Sequence, residues 1–131
     1  MRCLENRVAL VTGASGGIGE ATAIRLAHES ARIGVHYHQN EESAKKVAAK
    51  VRKLGPEAIL IKGDLVQARQ AENVVQALLE RFGRIDILVN CAGGEPARTV
   101  LDMDEWDWQR TLDVNLTGAF LLTQSAGRVM R

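Results

Sequence analysis

The sequence is short of the residues that most directly announce a chemistry. Its two cysteines, Cys3 and Cys91, lie far apart and form no Cys-x-x-Cys pair. That excludes a disulfide framework and a thiolate metal knot, and predicts free thiols in a reducing cytoplasm. Only two prolines occur, with no low-complexity tract and no internal repeat beyond the alternation described below, so nothing reads as an extended linker. Charge of one sign is lacking too. Seventeen Lys and Arg against sixteen Asp and Glu leave +1, which gives no electrostatic footprint for nucleic acid or an anionic membrane surface. No run approaches the ~20 apolar residues of a membrane-spanning helix. The start, MRCLENRVALV, is too interrupted to read as a signal peptide. Tyrosine occurs once, as Tyr37, and four residues later stands Glu41 rather than a lysine.

Glycine, by contrast, is plentiful and clustered. In LVTGASGGIGEATA, residues 10–23, an apolar run enters a helical pattern through Gly13, Gly16, Gly17 and Gly19. Around this turn the chain alternates between two periods. Strands are expected at 7–12, 32–37, 58–62 and 85–89, each short and apolar. Helices are expected between them. The first runs from Ile18 to about Ser30 with Ile18, Ala21, Ile24 and Ala27 as its stripe. The second is capped by Asn40, with Ala44, Val47, Ala48, Val51 and Leu54 as its stripe, and stops at Gly55-Pro56. The third carries Ala68, Ala71, Val74, Val75, Leu78, Leu79 and Phe82 and ends at Gly83. Asp104 caps a fourth helix, and a last one runs from Leu116 onward. Trp106 and Trp108 are expected to pack. Glu95, Asp102, Asp104, Glu105 and Asp107 read as solvated surface, and so does Arg98.

Strand alternating with helix predicts an α/β fold with a doubly wound parallel sheet in the order 3-2-1-4. Such sheets bind ligands beyond the carboxyl ends of their strands, where the order reverses, between strands 1 and 4. The glycine turn leaves strand 1 at that point. Bare backbone and a helix start make a phosphate site there. The spacing is neither G-x-G-x-x-G nor a P-loop, since no Gly-Lys-Ser/Thr follows. His36 and His38 share a strand face but lack a third ligand, so no metal is expected.

TGASGGIG, residues 12–19, resembles the TGxxxGxG signature of the short-chain dehydrogenase/reductase family. GDLV (63–66), LVNCAG (88–93) and DVNLTGAF (113–120) are similar to further motifs of that family, in the same order. Cys91 stands where the family has its second Asn. RVALVTGASGGIG and DVNLTGAF resemble the 3-oxoacyl-carrier-protein reductase branch. The resemblance covers essentially the whole chain. It implies a Rossmann-type fold truncated after the fourth strand and its following helices, with residues 1–131 forming a single, incomplete NAD(P)-binding domain. It implies cofactor contacts from Gly13, Ser15, Gly16, Gly17, Ile18, Gly19, Tyr37, His38, Asp64, Leu65, Asn90, Ala92 and Gly93, and a catalytic Asn115. From the residues alone, Asp64 either accepts from an adenine amine or caps the next helix. Asn90 braces a turn or reaches a ribose, and Asn115 holds a water or bends its helix.

The end of strand 2, Val35–Asn40, has no carboxylate before Glu41. Tyr37 falls near the family's acidic position. A missing carboxylate favours NADP over NAD, with His38 and Asn40 as candidate partners of the 2′-phosphate, although no basic residue stands at the family's usual place. The family moves a hydride between nicotinamide and a carbonyl or alcohol, with Tyr and Lys four residues apart, a Ser and an Asn. Of that quartet only Asn115 is present. The resemblance therefore implies the cofactor half of a longer oxidoreductase with a small-molecule substrate, a homo-oligomer when full-length. The alternative is a non-catalytic nucleotide-binding module, or a half-domain completed by a partner. Strand 4 is expected as an exposed edge, with Leu112, Val114, Phe120, Leu121 and Leu122 losing cover.

Overall fold

The computed structural model describes residues 2–94 and 98–131; Glu95 of the acidic cluster lies outside them. Four strands form one parallel sheet: β1 (Val8–Val11), β2 (Arg32–Tyr37), β3 (Ala58–Lys62) and β4 (Ile87–Val89). Its order is β3-β2-β1-β4, with Leu10 level with Gly34 on one side and with Leu88 on the other. Helices α1 (Gly17–His28), α2 (Glu41–Lys53) and α3 (Ala68–Phe82) fill the connections. After β4 come α4 (Glu105–Leu112), a π-helical turn (Asp113–Thr117) and α5 (Gly118–Met130), running on without a break.

β1 is fully buried because it is covered twice. Its side chains alternate between the two faces of the sheet. Ala9 and Val11 pack with Ala23, Ala27, Val47 and Val51. Val8 and Leu10 pack with Val74, Leu78, Leu122 and Ala126. A strand buried on both faces reads as a continuous apolar run, which is how VALV was legible. The expected caps are in place: Asn40 accepts from the Ser43 N–H, Asp104 accepts from the Asp107 N–H, and Gly83 ends α3 at a left-handed φ of 74°.

Four expectations are corrected. The buried face of α1 is Gly19, Ala23 and Ala27, and Ile18 is 79% exposed. The helix packs so close to its own entry turn that only small residues fit beneath it. β4 begins at Ile87 rather than Ile85; at its entry the Asp86 N–H donates to the Val8 carbonyl at 2.9 Å, while the Val8 N–H is taken by the Asp86 carboxylate, also at 2.9 Å, rather than by a backbone carbonyl. Trp106 and Trp108 do not pack: they are 71% and 57% exposed, and α4 buries no residue. Leu122 has not lost cover; it is fully buried beside α3, while Phe120 on the next face is exposed. β4 does lie at the edge of the sheet. Among the described residues no helix is long and apolar enough to cross a membrane.

Candidate functional site

A cleft of about 290 Å³ lies at the carboxyl edge of the sheet. Its walls come from the turn after β1 (Gly13, Ser15), the end of β2 (His36, His38, Gln39, Asn40), the end of β3 (Gly63 to Val66), the loop after β4 (Ala92, Gly93) and Val114. This is the crevice that a doubly wound sheet leaves where its strand order reverses.

The turn is glycine-rich for two separate reasons. Gly13 has φ +57°, and a Cβ there would stand 2.8 Å from the Ala92 backbone. A Cβ on Gly19 would collide with the carbonyl oxygen of Gly13. These two glycines serve packing within the protein. Gly16 and Gly17 differ: a Cβ on either would meet nothing, though Gly17 is also held to glycine by its φ of +56°. Gly16 stands at the start of α1, and no side chain caps that start. The first N–H groups of a helix need a partner from outside it, and an anion supplies one. The open side of this turn therefore fits the phosphates of a dinucleotide.

Thr12 is fully buried and ties the end of β1 to the edge strand β4 and the loop after it. Its Oγ1 accepts from the Cys91 and Ala92 N–H groups at 3.0 Å each, and donates to the Val89 carbonyl at 3.4 Å. Asn90 donates to Thr123 Oγ1 at 3.0 Å, bracing β4 against α5. Asp64 lines the cleft, and its Oδ1 accepts from the Val66 N–H at 3.3 Å within the turn after β3; it does not cap α3, whose N-cap is Gln67. Leu65 is buried between the cleft and Gly118.

Asn115 lies in the π-helical turn. Its amide donates to the Gly94 carbonyl at 2.6 Å and to the Thr111 carbonyl at 3.0 Å, and its Oδ1 accepts from the Gly94 N–H at 3.2 Å. A Cβ on Gly93 would stand 2.6 Å from that Oδ1. The bulge and the loop after β4 are thus clamped to each other. Both donors of the Asn115 amide are consumed within the chain.

Tyr37 is brought elsewhere. It turns into the core beside Ala44 and Val47 and does not line the cleft. Its hydroxyl donates to Glu41 Oε1 at 3.2 Å. Burial and the adjacent carboxylate push the phenol above its ordinary pKa. Gly16, Gly17, Ile18, Gly19 and Asn90 do not line the cleft either, and Gly17 and Ile18 lie on the exposed start of α1. His38 is exposed at its rim and also borders a neighbouring hollow with Trp106, Arg110 and Thr111.

The residue that sequence reasoning missed is His36. It is fully buried, and both of its ring nitrogens are engaged. Nδ1 accepts from the Gly13 N–H at 3.2 Å, so Nε2 carries the proton and donates to the Gly63 carbonyl at 2.9 Å. Burial holds the ring below its ordinary pKa, and His38 pushes it the same way. A signal existed in the sequence: a histidine inside an otherwise apolar strand, one residue before the strand's end.

Comparison with known proteins agrees with this architecture. A family model described as short chain dehydrogenase matches residues 7–131. A 3-oxoacyl-[acyl-carrier-protein] reductase of Synechocystis sp. is 41% identical over 130 residues, covering 99% of this chain and 53% of the relative. An L-rhamnose 1-dehydrogenase (NAD(P)(+)) of Sphingomonas sp. is 38% identical over 130 residues, with 99% and 51% covered. A short chain dehydrogenase of Burkholderia cenocepacia, solved in complex with NADP, superposes with a TM-score of 0.93 at 38% identity, over 98% of this chain and 52% of that one. The chain spans about half the length of the curated relatives it matches.

Proposed function

The chain belongs to the short-chain dehydrogenase family, and from that premise we propose that it supplies the dinucleotide-binding part of an NADP(H)-dependent oxidoreductase acting on a carbonyl or alcohol. One observation carries the reading: an uncapped helix start follows directly on the glycine turn whose Gly13 and Ser15 line a cleft at the sheet's carboxyl edge. Residues Gly13 to Gly19 form the phosphate cradle, with Ser15 on its wall. Asp64 and Leu65 meet the adenine. Asn90, Ala92 and Gly93 shape the floor beyond it.

NADP is preferred to NAD because the end of β2 offers His38, Gln39 and Asn40 to the cleft and no carboxylate. The nearest one, Glu41, is held by the Tyr37 hydroxyl. A carboxylate in that place would repel a 2′-phosphate. The bound nucleotide supplies or accepts a hydride. In the family a Tyr and Lys move the proton, a Ser orients the substrate and an Asn joins the relay. This chain carries only Asn115 of the four. Its hydrogen bonds support a role in holding the Gly93-Gly94 loop in place beside the relay. Nucleotide binding without turnover is therefore the expected behaviour of these residues, and a small-molecule substrate and homo-oligomeric assembly are proposed for the whole protein.

Calorimetric titration with NADP+ and NAD+ tests the reading. Saturable binding with the tighter constant for NADP+ is expected, and no binding of either overturns it. Gly19→Val should abolish that binding, because the new side chain displaces Gly13 and with it the cradle. Unchanged affinity would show that the phosphates bind elsewhere.

A further inference from the structure

Three strand ends meet at the floor of the cleft, and one buried side chain joins them. We propose that His36 is a positioning residue of the nucleotide site, which holds the glycine turn in its binding shape only while its ring is neutral and protonated on Nε2. The inference rests on the dinucleotide reading above for its ligand, and on the geometry of the ring for its mechanism.

The wiring is specific. The carbonyl of His36 accepts from the Ala14 N–H at 2.9 Å, and the carbonyl of Tyr37 accepts from the Gly63 N–H at 3.1 Å. The ring then adds the Gly13 N–H on one side and the Gly63 carbonyl on the other. Gly13 is the hinge of the cradle. It has a left-handed φ, and it is wedged against the Ala92 backbone and Gly19. Its direction fixes where the next residues, and the N–H groups of α1, are aimed.

A second proton on the ring would go to Nδ1. That atom would then present an N–H to the N–H of Gly13, where neither can accept. The turn must move away or the proton must leave. Nothing nearby compensates. The turn after β1 offers only the uncharged Gly13, Ala14 and Ser15. On the face of the sheet that Gly34 shares with His36, α3 presents the apolar Val74 and Leu78. The titratable groups that face the ring's surroundings are His38, which opposes a second positive charge, and Asp64, whose Oδ1 is engaged by the Val66 N–H. A ring held below its ordinary pKa adds stability that is intact above that value and is lost as pH falls through the lowered one. The cradle should follow the same course.

Glutamine separates positioning from titration. Its amide accepts with oxygen and donates with nitrogen, as the neutral ring does, and it does not titrate in this range. The experiment has two parts on the whole chain. Nitrogen-15 NMR without nucleotide should show His36 as the neutral Nε2–H tautomer at about pH 8, with the Gly13 amide shifting as the ring titrates. Calorimetry with NADP+, and with NAD+ as the ligand lacking a 2′-phosphate, should then be run from about pH 8 to about pH 5.5 on wild type and His36→Gln. Titration of the 2′-phosphate is common to both proteins, so their difference isolates His36. Wild-type affinity should fall about tenfold more than that of His36→Gln, the loss expected when a buried donor is left unpaired. Equal pH slopes in the two proteins would overturn the proposal, as would an Nδ1–H tautomer at pH 8. If His36→Gln fails to fold by circular dichroism, the tautomer and the Gly13 amide titration of wild type decide the matter alone. If wild type binds neither nucleotide at pH 8, the dinucleotide reading fails, and the same two NMR observations still decide whether His36 holds the turn.

Discussion

The first two-thirds of this chain and its last third are built on different terms. From β1 to α3, strands and helices close on one another, and the central strand β1 has no exposed residue. From β4 onward, the strand is three half-buried residues, α4 buries nothing, and Trp106, Leu116 and Phe120 stand mostly in solvent. Composition does not explain the difference, since both regions are rich in large apolar residues. What differs is the number of covered faces. β1 has a strand on each side and a helix layer above and below. β4 has β1 on one side only. Apolar area contributes to stability only where something removes it from water, so a leucine's worth depends on its address.

The sharpest test applies one substitution at two addresses. Leu10→Ala, in the middle of β1, should cost about 2–5 kcal/mol, from lost transfer energy and an unfilled cavity. Urea denaturation would measure it, and a loss near zero would mean β1 is not the centre of the core. Leu116→Ala is the opposite pole.

Asp86 gives the next largest effect, and it joins the two regions. Its carboxylate accepts from the Val8 N–H and pairs with Arg7 at 3.1 Å and Arg84 at 2.6 Å. Arg84 first, with the Val8 N–H and Arg7, holds its pKa down to about 2, against the desolvation that opposes them. A lowered acid pKa means that the stability is present above the ordinary value near 3.8 and is lost as pH falls through about 2. Asp86→Asn should cost about 1–2 kcal/mol at neutral pH and flatten the acid limb of stability against pH. An unchanged acid limb would show that other carboxylates carry it.

Asn115→Ala should cost about 1 kcal/mol by stripping the Gly94 N–H and carbonyl of their partners. The loosening should be local, visible in hydrogen exchange after β4 and around 111–118, with β1 and β2 unchanged. Protection lost across the whole sheet would mean that the two regions unfold together. Leu116→Ala should change stability by less than about 0.5 kcal/mol, because its side chain is already 64% exposed. A loss comparable to that of Leu10 would show that the last third has cover in solution, and the contrast between the regions would collapse.

Legibility in the sequence did not follow that division. Helices α2 and α3 were readable from spacing and caps because their periodicity faces a single layer, as Val47, Val51, Val74 and Leu78 show. The glycine turn was readable because no other residue type allows that approach of backbones. The face of α1 was not, because a helix pressed against a glycine turn buries its small residues rather than its large ones. Nor was the π-helical turn, within which Asn115 bonds the Gly94 loop.

By itself the sequence determined the element order, the parallel sheet, the position of the turn at the reversal of strand order, and the family. Those depend on local period, on glycine's missing side chain, and on the short connections that force neighbours together. Only the tertiary structure decided which side chains enter the cleft. Tyr37 and His36 are adjacent in one strand, so they point to opposite faces. Which face is core and which holds the floor of a binding site depends on what the other strands place there. The tyrosine went to the helices, and the histidine came to lie between Gly13 and Gly63, residues 23 and 27 positions away from it along the chain.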